Sequence, residues 1–158
     1  SHARRLAGQP AQGWQTTKGQ GTMNWRCQTI IDQLGGLGLR GAICYTGGQQ
    51  VTYKDRSDEM TPDPSRIDGD GVHFDTGIMW KVNGKRSQTW KELVTLEPSD
   101  TYTVRLLKIN TPQQWAKTGQ ACEVLYEAND VYCDMLQAIA EEAYDTAIKE
   151  HNDGWIPL

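Results

Sequence analysis

From about Gln120 to Glu150 the apolar residues recur at helical spacing: Val124, Leu125, Ala128, Val131, Tyr132, Met135, Leu136, Ile139, Ala143 and Ala147. A run this long with a period near 3.6 predicts one long amphipathic helix, which must find an apolar surface to cover. Asn152-Asp153-Gly154 ends it, leaving the tail Trp155-Ile156-Pro157-Leu158.

The rest of the chain supplies that surface. Thr22 or Asn24 caps a short first helix that places Cys27, Ile30, Ile31 and Leu34 on one face, and Gly35-Gly36 stops it. Ala42–Tyr45 and Val51–Lys54 read as a hairpin around Gly47-Gly48. Residues 55–71 show no period and read as a long loop. The β pattern resumes at Val72, and Val82-Asn83-Gly84-Lys85 signals a two-residue hairpin turn. Tyr102, Val104, Leu106 and Ile109 mark a further strand, and Thr111-Pro112 opens a helical turn around Trp115. This order predicts an α+β fold: an antiparallel β-meander of about five strands packed against a long C-terminal helix and a short N-terminal helix.

A chain of 158 residues with 37% apolar residues is expected to form one domain with a core of its own. Residues 1–22 stand apart as a basic Gly/Gln-rich arm bearing Arg4, Arg5 and Lys18. Its opening Ser1-His2 reads as a tag remnant and Met23 as the natural start, which leaves 23–158 as the α+β domain. No apolar run approaches the length of a membrane span, and no secretory signal is recognisable. The cysteines Cys27, Cys44, Cys122 and Cys133 form no CxxC pair. On one helix Cys122 and Cys133 would lie about 16 Å apart, too far to bridge. Small buried thiols in a reducing cytoplasm are the expectation.

Charge is unevenly distributed. Residues 1–118 hold 15 Lys and Arg against 11 acids, whereas 119–158 hold Lys149 against nine acids. The whole chain is therefore not expected to bind nucleic acid. On the long helix, Glu123, Glu127, Asp130, Asp134, Glu141 and Asp145 would fall in a stripe roughly 60° wide, opposite the apolar face. With no interleaved lysine these carboxylates repel one another. A solvated face would explain them; a surface for a basic partner, or for a second copy of the chain, would explain their single sign.

Three further features bear on chemistry. Residues Trp80–Lys91 carry four positive charges, no acids and two tryptophans, a mixture that single-stranded nucleic acid binding uses. A two-residue turn would place Val82 opposite Lys85 and Trp80 opposite Ser87, with Trp80 and Trp90 on opposite faces, so a clamp is not expected. Asp68-Gly69-Asp70-Gly71 matches the first positions of a calcium loop, but Val72 stands at the fifth position and the closing glutamate is missing. Asp70, His73 and Asp75 are the remaining metal-ligand candidates, with His73 and Asp75 on one strand face. Finally, six Trp and six Tyr stand beside a lone Phe74. Trp80, Trp90, Trp115 and Trp155 would suit a pocket for a cationic or aromatic small molecule.

No P-loop, GxSxG, HExxH or dinucleotide fingerprint occurs. The expectation is a cytoplasmic, non-catalytic protein without cofactor or membrane attachment. Its acidic helix face would meet a basic protein surface or a second copy in a homodimer. A small cationic ligand in a Trp/Tyr pocket is the alternative.

Overall fold

Cys122–Val131 is a strand, not the first third of a helix. Cys122, Val124, Tyr126 and Ala128 alternate with Glu123, Leu125 and Glu127, so the segment satisfies a period of two as well as helical spacing. The preceding strand decides between them. It offers an antiparallel partner whose Arg105 and Lys108 lie opposite Glu127 and Glu123, at 2.9 and 3.7 Å between charged atoms.

The computed structural model describes residues 25–56 and 61–151. The arm at 1–22, the cap residues Thr22 and Asn24, and the tail from Trp155 lie outside these. In chain order the elements are α1 (Trp25–Gln33), α2 (Ala42–Thr46), β1 (Gln49–Asp55), β2 (Arg66–Asp68), β3 (Gly71–His73), β4 (Thr76–Val82), β5 (Thr89–Leu96), β6 (Tyr102–Ile109), α3 (Pro112–Thr118) and β7 (Cys122–Val131). A 3₁₀ turn at Cys133–Met135 then leads into α4 (Leu136–His151). The fold is α+β, and its antiparallel five-stranded sheet runs β1-β4-β5-β6-β7. The two helices expected at the ends of the domain are both present, and α4 is half the length expected. No described helix is long and apolar enough to cross a membrane.

One face of the sheet carries the main core. Ile78, Trp80 and Val82 of β4, Trp90 and Val94 of β5, and Val104 and Leu106 of β6 meet Cys27, Ile30, Ile31 and Leu34 of α1. From α4 come Leu136, Ala140, Ala143 and Ala147. Burying an apolar side chain of Leu or Ile size contributes about 1.5–3 kcal/mol, so this two-sided clasp holds both helices to the sheet. The opposite face carries a smaller cluster, Leu93, Leu107 and Cys122, against Val72, Phe74, Met79 and Ile109. The ribbon β2–β3 covers part of it, within what the sequence presents as an aperiodic loop.

Two local readings change. Ala42–Thr46 is a helical turn rather than a strand: Ala42, Ile43 and Thr46 are buried, and the Thr46 hydroxyl donates to the Ala42 carbonyl. It also accepts the indole N–H of Trp80 at 2.8 Å. The β4–β5 turn is wider than two residues, because the strands first pair at Val82 and Trp90. The N–H of Asn83 donates to the Thr46 carbonyl at 2.8 Å, which draws the turn toward α2. The Trp90 indole then lies on Gly84, where an added Cβ would stand 2.6 Å from the ring. Trp80 and Trp90 consequently share one face, not opposite faces. Gly84→Ala is expected to cost about 1–3 kcal/mol by overpacking. An unchanged urea midpoint would mean that the ring yields without loss.

At the sheet's other edge, Arg26 of α1 and Asp55 of β1 form an ion pair at 3.1 Å, with side chains 8% and 3% exposed. Arg26 also donates to the Arg56 carbonyl. The second carboxylate oxygen of Asp55 has no hydrogen-bond partner among the described residues. Burial raises the Asp55 carboxyl above its ordinary range, and Arg26 opposes that rise.

Candidate acidic site between α2, α4 and the sheet

The six carboxylates expected on one helix face are spread over three elements. Glu123, Glu127 and Asp130 belong to β7, Asp134 to the 3₁₀ turn, and only Glu141 and Asp145 to α4. The single stripe does not exist, because the strand turns successive residues to opposite faces. Glu123 and Glu127 are paired with Lys108 and Arg105. Asp130 adopts a φ of 55° at the end of β7.

What remains of the acidic surface is concentrated on α4. Glu141 and Asp145 are one helical turn apart and make no ion pair among the described residues. The phenol of Tyr45 in α2 donates to both Asp145 oxygens, at 3.0 and 3.1 Å. That bond to a carboxylate holds the Tyr45 hydroxyl above its ordinary range. The Tyr45 and Tyr144 rings meet edge to face at 6.3 Å between centroids. On the other flank Tyr126 of β7 donates to Glu142 at 3.0 Å. Burial first, and Glu142 second, push the Tyr126 hydroxyl up to about 12.

Beneath these groups lies a residue that the sequence reading passed over. Glu92 is at the middle of β5, opposite Trp80 on one side and Leu106 on the other. Its side chain is fully buried, and neither carboxylate oxygen has a hydrogen-bond partner among the described residues. Buried polar groups are nearly always satisfied, so an acid with two bare oxygens in a core is exceptional. Burial pushes its carboxyl well above the ordinary range, and Glu141 and Asp145 push the same way. Burial and both neighbouring acids thus favour the neutral form of Glu92. One signal was legible: β5 reads Trp90-Lys91-Glu92-Leu93-Val94, and alternation puts Glu92 on the face of Trp90 and Val94.

The other candidates are placed differently. Trp80 and Trp90 are 0% and 1% exposed, so neither ring offers a face to a ligand. Trp115 is 41% exposed on α3, and Trp155 lies outside the described residues. Of the metal candidates, Asp70 and His73 come together with Asp68, not with Asp75. Asp68 accepts from the N–H of Asp70 at 2.8 Å, from His73 at 3.0 Å and from Arg66 at 2.6 Å. These partners, the Asp70 N–H foremost, hold its carboxyl down to about 2. Asp75 turns inward and accepts from Arg56 and from the N–H of Asp63.

Two further polar assemblies lie away from these groups. On the far face of the sheet Ser65 donates to Glu97 at 2.6 Å and accepts from Arg105 at 2.9 Å. Glu97 also accepts from the Ser65 N–H and from Thr95, so this network fastens the chain before β2 to the sheet. A cleft of about 240 Å³ beside α3 is lined by Lys108, Asn110, Gln114, Thr118, Gln120, Cys122 and Glu123. Its polar groups largely satisfy one another, Asn110 donating to the Gln120 carbonyl and Thr118 to that of Gln114. Comparison of the chain with protein-family models, curated proteins and solved structures finds no significant match.

Proposed function

We propose that this protein acts by binding, as an interaction module whose acidic α2–α4 face receives a basic partner. The observation that supports this reading is the combination of Glu141 and Asp145, without an ion pair among the described residues, over a buried acid that also lacks a partner. Glu141 and Asp145, which make no ion pair among the described residues, favour the arrival of positive charge, and the buried acid beneath them adds no cation of its own. They also steer it from a distance at low ionic strength. The set is smaller than the six residues expected from sequence, and it centres on α4 rather than on Glu123, Glu127, Asp130 and Asp134.

A labelled oligolysine peptide is a suitable probe, its binding followed by fluorescence anisotropy at about 50 mM and about 500 mM salt to vary the screening. The double change Glu141→Lys with Asp145→Lys is expected to weaken binding at low salt by about tenfold or more, equivalent to about 1.4 kcal/mol per tenfold. Asp130→Lys, at the sheet edge, is expected to change it far less. Equal affinity of the parent protein and the double variant would remove the reading.

A further inference from the structure

We propose that Glu92 is the floor of a site for one primary alkylammonium group, reached past Glu141 and Asp145, and that the group's arrival releases the Glu92 proton. The inference rests on the reading of the α2–α4 face as a binding surface, and it specifies the chemistry of what binds there.

Geometry carries the argument. Glu92 has two fully buried oxygens without a donor; its neighbour across the strands, Trp80, satisfies its own buried N–H on Thr46, and Asp55, the other acid with a bare oxygen, has Arg26 beside it. The groups acting on Glu92 from the elements packed against it are all acidic: Glu141 and Asp145 from α4. Tyr126 of β7 and Tyr144 of α4 also feel its charge, and Tyr45 of α2 reaches the set through Asp145. No lysine or arginine among the described residues contributes. Such a cluster lacks one component, a positively charged donor.

The two bare oxygens select the donor. Helix α4 meets the core through Leu136 at its start and, beyond it, through the small side chains of Ala140, Ala143 and Ala147, flanked by the partly buried Ile139, Tyr144 and Ile148. A primary ammonium is a compact point charge with three donors on a slender stem. Two of its N–H groups match in number the two bare oxygens of Glu92, and a third is left for the acids that act on Glu92 from α4. A guanidinium brings five donors in a broad planar fork, more than this floor accepts.

The charge balance is closed. Burial and the acids above it favour the neutral form of Glu92 in the free protein; on binding, its O–H bond breaks, the proton passes to buffer and the carboxylate pairs with the ammonium. One positive charge enters as one leaves, so the core gains a charge-assisted pair without gaining net charge.

Calorimetric titration of the full chain near pH 7 tests this, with n-butylammonium chloride and N-acetyl-lysine methylamide as probes. Each titration is run in phosphate and in Tris, whose ionisation enthalpies differ. The apparent binding enthalpy is expected to differ between buffers by about one proton's worth per ligand. Glu92→Gln is expected to weaken binding about tenfold or more and abolish the buffer dependence. Glu92→Leu is expected to do the same, and its folding is checked independently by its melting curve. Binding of butylammonium alone would assign a free amine, and binding of both probes an inserted lysine side chain. Unchanged affinity in Glu92→Gln, or identical enthalpies in the two buffers, would overturn the proposal. So would the absence of binding by both probes. If oligolysine still bound through Glu141 and Asp145 in that case, the surface reading would survive and only the buried site would fall.

Discussion

Replacing Arg26 by alanine is expected to lower the stability of this protein by about 3–5 kcal/mol, the usual consequence of breaking a buried ion pair from one side. Asp55 would be left with a side chain 3% exposed, its second oxygen already without a partner. The loss should depend on pH in a defined sense. With Arg26 gone, the largest influence opposing burial is lost and only the weaker hydrogen bonds of Thr76 and Cys27 remain, so the Asp55 carboxyl rises further above the ordinary value of 3.8 at which the unfolded chain loses its proton. Above that value the unfolded state binds fewer protons, and the variant's stability falls as pH rises. The deficit relative to the parent protein is therefore smallest near pH 4 and grows toward neutrality. Urea unfolding at several pH values measures it. The double change Arg26→Met with Asp55→Leu should recover most of the loss, because apolar replacement of both partners removes the uncompensated charge. A double variant as unstable as Arg26→Ala would show that the cost comes from lost packing instead.

Glu92→Leu is expected to stabilise the protein at neutral pH, by about 1–3 kcal/mol for removing an unsatisfied buried group. The pH dependence again gives the sharper test. In the unfolded chain Glu92 titrates near 4.5, and in the fold it keeps its proton well beyond that. Between the two values the unfolded state carries one proton fewer, so the contribution of Glu92 to stability declines as pH rises, by about 1.4 kcal/mol per pH unit at most. Glu92→Gln has no such dependence. The difference in unfolding free energy between parent and Gln variant should therefore slope downward from about pH 4.5. Asp55 is common to both proteins and cancels. Parallel stability curves would mean that Glu92 is not held neutral in the folded state.

The architecture was legible where one period alone fitted the residues. Cys27, Ile30, Ile31 and Leu34 admit only a helix, and Tyr102–Ile109 only a strand. The capping box of Thr111 and Gln114 opens α3 where Pro112 indicates. Reading failed where two periods fitted, as in Cys122–Val131, since the deciding influence was a pairing partner some twenty residues earlier. It failed again at Asn83-Gly84, where Thr46 and Trp90 compete for the atoms that a tight turn would use. The candidate site was half visible. Glu141 and Asp145 stood out as unpaired acids on a helix, but Tyr45 is a hundred residues from Asp145. Glu92 has no local peculiarity beyond its place in an alternating strand; only tertiary packing leaves its oxygens bare.

The misread acids of β7 have a consequence of their own. A ten-residue strand at the margin of a sheet is a template on which another extended chain can polymerise. No described strand covers the outer side of β7. Glu123, Glu127 and Asp130 line this strand, and the left-handed conformation of Asp130 bends its end out of the extended path. An identical strand docking there would bring carboxylate against carboxylate. Residues that look in sequence like an invitation to a partner are thus expected to disfavour the addition of further strands at this margin.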